Sequence, residues 1–237
     1  VHHLAIQAGV AKIGKYAVRE SGDTVEVVER PHGGVSLVMV DGQRSGRGAK
    51  AISNLVARKA ISLLAEGVRD GAAARAAHDY LRTHRQGKVR AEMVILSVDL
   101  VSQTLVVSRN TQCPVLVRRG GELAWLDAPS EAIGIRRHTR PTIQEMSLVA
   151  GLTVVAFSDG VWSAGVHLEG HMDVMQAVMA ADPEDTLSGQ ALADAILDAA
   201  LALEQGRPRD DATVIVVKIV PHPGDDRVRR MGLYIPF

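Results

Sequence analysis

Cysteine is almost missing from this chain: Cys113 is the only one in 237 residues. No intramolecular disulfide can form, and no Cys/His set has zinc spacing, so the expected compartment is a reducing, cytosolic one. Aromatic residues make up only 3%, which leaves Ala, Val, Ile and Leu to fill the core, and at 46% hydrophobic composition they suffice for a large one. An excess of either charge is also lacking. The 27 Lys and Arg residues balance 27 Asp and Glu, which removes the basic surplus of a protein that draws its affinity from nucleic-acid backbones. The longest apolar run, 148–157, is about ten residues, half of the ~20 that a membrane helix needs. Neither a signal peptide nor a lipid anchor is visible, so no membrane partner is expected. Internal repeats and low-complexity segments are absent as well. The start at Val1-His2-His3 rather than Met suggests a processed product or a fragment.

What is present is an order of strands, two helices, several strands, two helices, one strand and a tail. Residues 4–18, broken by Gly9 and Gly14, suggest two short strands meeting at a turn near 11–14. Residues 24–29 and 35–40 form a hairpin through Pro31-His32-Gly33-Gly34. Antiparallel pairing would then bring together Asp23, just before the first strand, and Asp41, just after the second. Apolar residues at helical spacing mark helices over 48–66 and from Asp70. Short strands follow at 93–98, 104–108, 115–118 and 122–126, in the manner of a meander, and then at 142–148 and 152–157. A second helix pair, 170–181 and 188–203, is split by Asp182-Pro183. The β-branched run 213–220 reads as a central strand. This order is that of an antiparallel α+β domain covering 1–237, with a tail from 221, and not of a doubly wound sheet.

Four acidic points stand at the ends of these strands: Asp23, Asp41 before Gly42, Asp159 before Gly160, and the pair Asp210-Asp211. Asp-Gly is a common turn, and any one of these sites read alone is structural. The repetition of an apolar strand running into Asp-Gly favours a shared site instead. Carboxylates and the Gly42 carbonyl suit hard divalent cations, and two such cations can acidify a water and neutralise a phosphate under in-line attack. His167 and His171 have helical metal-pair spacing, but Gly165 and Gly170 argue against a helix there and place both in solvent. Cys113 has no activating partner in the sequence and reads as a buried small residue. Arg227, Arg229 and Arg230 read as a solvated tail, and 233–237 is apolar enough to dock.

Glu20-Ser21-Gly22-Asp23, Val40-Asp41-Gly42-Gln43-Arg44-Ser45-Gly46, Phe157-Ser158-Asp159-Gly160-Val161 and Arg209-Asp210-Asp211-Ala212-Thr213 together resemble the metal-dependent serine/threonine phosphatases of the type 2C superfamily. The bacterial branch typified by stage II sporulation protein E is the nearer likeness, over roughly residues 4–220. The resemblance implies a four-layer αββα sandwich, two antiparallel sheets flanked by helix pairs, with two manganese or magnesium ions at one end. It implies that Asp41 bridges both ions, with Asp23, Asp159 and Asp210 as further ligands, Gly42 giving its carbonyl, and Asp211 a less certain member. It implies hydrolysis of phosphoserine or phosphothreonine by metal-activated water, with no covalent enzyme intermediate. The implied substrate is a phosphorylated bacterial regulator of the anti-sigma-factor-antagonist kind. Arg19 stands near the place where eukaryotic relatives keep a phosphate-binding arginine. Two departures set this chain apart. Asn110-Thr111-Gln112-Cys113-Pro114 lacks a histidine found in many relatives, and Arg44 replaces a small residue. A catalytically silent interaction module is therefore the competing reading, with a metal-dependent nuclease behind it.

Overall fold

The computed structural model describes residues 3–224 and 226–236. Val1 and His2 of the unusual start, and Asp225 and Phe237 of the tail, lie outside them. The strands are β1 (His3–Ile13), β2 (Asp23–Glu29), β3 (Val35–Gly42), β4 (Ala91–Asp99), β5 (Thr104–Asn110), β6 (Val115–Arg119), β7 (Glu122–Leu126), β8 (Thr142–Ser147), β9 (Leu152–Phe157) and β10 (Ala212–His222). The helices are α1 (Arg47–Ala65), α2 (Asp70–His84), α3 (Asp159–Trp162), α4 (Val174–Ala181) and α5 (Gly189–Leu203). One antiparallel sheet runs β1-β10-β9-β6-β7 and the other β2-β3-β4-β5-β8. β10 lies between β1 and β9, in the interior that its β-branched composition demands.

Strand alternation builds the layers. On β3, Leu37 and Met39 face the other sheet and meet Val154, Ala156, Ile215 and Val217, while Val38 and Val40 face outward onto Val56, Ala60 and Ala77 of α1 and α2. The far face of the first sheet, with Val155, Phe157, Val214 and Val216, is covered by Val178, Leu192 and Ile196 of α4 and α5. These are the four αββα layers. Small side chains carry the helix contacts, so the shortage of aromatics leaves the core filled. Phe157, Trp125 and Trp162 form an aromatic cluster at α3, of which Trp162 is the last residue.

Several local expectations change. Residues 4–18 do not make two short strands: β1 is one strand that pairs with β10 along its full length, from His3↔His222 to Ile13↔Ala212. Gly9 makes no turn. It lets α5 come close, because a Cβ there would lie 2.2 Å from the Gly189 carbonyl oxygen. The run 93–126 is not one meander either. β4 and β5 stay in the second sheet, residues 111–114 cross over, and β6 and β7 join the first, with β8 returning beside β5. Single-strand periodicity does not report which sheet a strand enters. The helix expected from 170 begins at Val174, where the Asp173 side chain accepts from Gln176 N–H at 2.9 Å. His167 and His171 lie outside any α-helix and are exposed. In the tail, Arg229 pairs with Glu29 at 2.8 Å, while Leu233, Tyr234 and Ile235 are exposed. No helix among the described residues is long and apolar enough to cross a membrane.

Candidate metal centre

The ladder registers bring the acidic points together. Asp23 pairs with Asp41 across β2 and β3, and Asp41 pairs with Glu92 across β3 and β4. Asp41 has the parity of Leu37 and Met39, and Glu92 that of Val94 and Leu96, so both carboxylates point into the seam between the sheets. They stand where that seam opens. From the opposite sheet, Asp159 follows β9 as the first residue of α3, and Asp210 precedes β10. Asp41, Gly42, Glu92, Asp159 and Asp210 line one cleft, together with Gln43, Arg44, Arg90 and Ala91.

Each acid is held differently. Asp23 is fully buried. Its Oδ2 accepts from Thr213 Oγ1 at 2.6 Å across the seam, and its Oδ1 has no partner among the described residues. Its backbone carbonyl accepts from Lys12 Nζ at 2.8 Å and Lys50 Nζ at 2.6 Å. Glu92 Oε2 accepts from Thr111 Oγ1 and, at 3.2 Å, from Gln112 N–H. The segment that departs from the family pattern therefore faces the site and orients a carboxylate in it. Glu92 is absent from the sequence-level candidates because no Asp-Gly marks it; only the β3–β4 register reveals it. Asp211 points away from the cleft. Its Oδ1 accepts from Lys15 N–H at 2.9 Å and its Oδ2 from Gly22 N–H at 2.8 Å, so it clamps the chain ahead of β2. Arg19 is exposed and does not line the cleft. Cys113 is buried, which raises its thiol well above the ordinary range and leaves it inert.

Charge crowding is the dominant electrostatic fact. Burial, then the carboxylates of Asp23, Asp159, Glu92 and Asp210, push Asp41 up to about 10. Burial raises Asp23 to about 7, although the hydrogen bond from Thr213 pulls it back. Asp159 is raised by burial and then by Asp210 and Glu92. Among the described residues, no three His, Cys, Asp or Glu side chains are set closely enough to hold an ion as they stand. The donor chemistry nonetheless fits a hard divalent cation. The donors are oxygens, one buried carboxylate oxygen has no hydrogen-bond partner among the described residues, and positive charge would relieve the crowding that raises Asp23, Asp41 and Asp159.

The sign of the linkage gives a prediction. A carboxyl whose folded pKa lies above its unfolded value near 4 binds a proton on folding, so stability falls as pH rises toward the folded pKa. His78, lowered mainly by burial, acts in the opposite direction but only below its ordinary value of 6.5. Between pH 7 and 8.5 Asp41 lowers stability, while Lys12, lowered mainly by burial, acts in the opposite direction as pH rises toward 10.5. Chelator-treated protein is expected to lose about 4 °C in Tm across that interval, and less with saturating Mn²⁺. A flat or rising Tm in chelator, followed by scanning calorimetry, contradicts the charge-crowded cleft.

The backbone around the cleft is also specialised. Arg44 has φ +72°, a left-handed conformation that costs a non-glycine residue about 1 kcal/mol. Gly42 is required by packing: a Cβ there would lie 2.1 Å from the Ala49 carbonyl oxygen of α1.

The family model described as Stage II sporulation protein E (SpoIIE) matches residues 31–220, a span that begins after Asp23 and includes the other cleft acids. The chain is 22% identical over 218 residues to Stage II sporulation protein E of Bacillus subtilis (strain 168), covering 90% of this chain and 26% of that protein. It thus spans about a quarter of that relative's length. A structure of the PP2C phosphatase domain and a fragment of the regulatory domain of SpoIIE from Bacillus subtilis superposes with a TM-score of 0.80 at 22% identity, covering 94% of this chain and 66% of that one. The catalytic domain of the serine threonine protein phosphatase PstP in complex with 2 manganese ions superposes with a TM-score of 0.67 at 16% identity, covering 92% of this chain and 100% of that one.

Proposed function

The chain belongs to the Stage II sporulation protein E family, and from that premise we propose that it is a metal-dependent protein phosphatase acting on phosphoserine or phosphothreonine. The observation that carries the reading is the row Asp23, Asp41 and Glu92 across three adjacent strands, facing Asp159 and Asp210 from the other sheet. Asp23, Asp41, Asp159, Asp210 and the Gly42 carbonyl would hold two divalent cations, manganese or magnesium, with Glu92 a further oxygen donor. When bound, such cations supply positive charge to a phosphate and lower the pKa of an attacking water.

The rest of the chemistry falls to the chain itself. The lining of carboxylates, a glycine, a glutamine and two arginines supports an attacking water and a reaction without a phosphoenzyme. The water oxygen bonds to phosphorus, and the Ser or Thr oxygen of the substrate leaves and takes a proton. Thr111 and Gln112 keep Glu92 turned toward the cleft, and Thr213 holds Asp23 across the seam. The substrate would be a phosphorylated bacterial regulator, such as an anti-sigma-factor antagonist, met in the cytoplasm. The family membership and the neutral overall charge support this choice over a nucleic acid.

Hydrolysis of a chromogenic phosphate monoester is expected with Mn²⁺ and should vanish with excess chelator. Activity that survives chelation sinks the proposal. Calorimetric titration with Mn²⁺ separates it from a silent interaction module: two ions bound per chain are expected, and none bound would favour the module.

A further inference from the structure

Two guanidinium groups border the carboxylate cleft without being consumed by it. Arg44, from the loop after β3, and Arg90, at the start of β4, line the same cleft as Asp41, Glu92, Asp159 and Asp210. Among the described residues, neither side chain makes a salt bridge, although other cations of this fold do pair with acids, Arg30 with Asp70 at 3.3 Å and Lys218 with Asp182 at 2.9 Å. The backbone sets both residues on the rim. Arg90 N–H donates to Gln43 Oε1 at 3.1 Å, tying the start of β4 to the loop that carries Arg44. Arg44 itself is held at φ +72°, in the left-handed region that glycine adopts freely.

The result is a site of two signs, with carboxylates along the floor and guanidinium groups along the edge. A ligand that satisfies both needs oxygens for cations below and for N–H donors at the side. A phosphate monoester dianion has three terminal oxygens and matches the planar fork of arginine. We propose that Arg44 and Arg90 are the phosphate-recognition pair of this chain, binding the phosphoryl oxygens of the substrate from the rim and taking the role that sequence reading gave to Arg19. The inference rests on the phosphatase reading, and deepens it by naming the residues that determine affinity for the transferred group.

Inorganic phosphate, the reaction product, is the direct probe. The 237-residue chain loaded with Mn²⁺ is titrated with phosphate by calorimetry as wild type, Arg44→Gly, Arg90→Ala and the double variant. Each single substitution is expected to weaken phosphate about tenfold, the double variant about a hundredfold, and Arg90→Lys is expected to recover part of the loss. Mn²⁺ affinity should stay level or rise, since positive charge has been removed beside the acids, and a purely structural role for either arginine would not separate the two ligands in this way. A double variant that binds phosphate within twofold of wild type overturns the pair, and if wild type still hydrolyses phosphate esters the phosphatase reading stands. Wild type that binds neither Mn²⁺ nor phosphate removes both. If wild type fails to bind Mn²⁺, phosphate titration of the metal-free chain decides the pair alone.

Discussion

Asp41→Asn is expected to reduce Mn²⁺-dependent phosphate-ester hydrolysis by at least about a thousandfold, and at the same time to raise the Tm of the metal-free protein at pH 8. Both outcomes come from one carboxylate. Asp41 lies between Asp23 and Glu92 in the ladder and faces Asp159 and Asp210 across the cleft. In its own sheet it has an acid on each side, Asp23 and Glu92, and its charge is the one that two cations would share. Its replacement takes away the central negative charge, while the amide keeps the shape of the side chain. In the absence of metal that same central position is a liability: burial and four neighbouring carboxylates lift its pKa to about 10, so the native state must hold a proton that the unfolded chain releases above pH 4. Asparagine removes the requirement and flattens the decline in Tm above pH 7. Steady-state kinetics and calorimetry on the same preparation provide the check. A variant that is both inactive and less stable without metal would mean that Asp41 is held by structural bonds and not by charge crowding.

Gly42→Ala is expected to destabilise the fold by about 3 kcal/mol, lowering Tm by about 6–12 °C, and to disturb metal binding with it. The added Cβ would fall 2.1 Å from the Ala49 carbonyl oxygen and 2.8 Å from its carbon. These are backbone atoms of the first turns of α1 and cannot rotate aside as a side-chain tip would. Relief requires moving the helix away from the end of β3, which also moves the Gly42 carbonyl at the cleft. Gly22 meets the same helix, with a Cβ placed 2.7 Å from the Ala49 side chain, and Gly160 approaches the Asp211 carbonyl oxygen at 2.2 Å. The glycines beside Asp23, Asp41 and Asp159 thus share one physical reason, a close approach of backbone that sets each aspartate at the seam. Gly48→Ala is the control: nothing lies within 4 Å of its Cβ position, and alanine there should be neutral or stabilise α1 by about 0.5–1 kcal/mol. Equal melting of the two variants would contradict the packing argument.

Much of this site was legible as spacing. The hairpin through 31–34 already required Asp23 and Asp41 to be neighbours, and the register places them directly opposite each other. Asp159 and Asp210 announced themselves by following and preceding apolar strands. Glu92 did not, because a lone acid at the start of a strand looks like any solvated end, and its meaning comes from a partner strand some fifty residues earlier in the chain. The two halves of Asp210-Asp211 could not be told apart in sequence. Only the hydrogen bonds from Lys15 and Gly22 show that one of them is a clamp. Arg19 looked suitable through its distance along the chain, whereas Arg90 reaches the cleft through the fold.

The amino-acid sequence by itself determined the class of the fold, the antiparallel order of strands and helix pairs, and the acidic points at the strand ends. Periodicity and turn residues are local properties, so they can be read without coordinates. Tertiary structure decided which sheet each strand of the 93–126 run joins, which acids share the seam, and which cations stand beside them. Those relations depend on register and on the meeting of two sheets, and a side chain's neighbours across such a seam leave no mark in its own stretch of sequence.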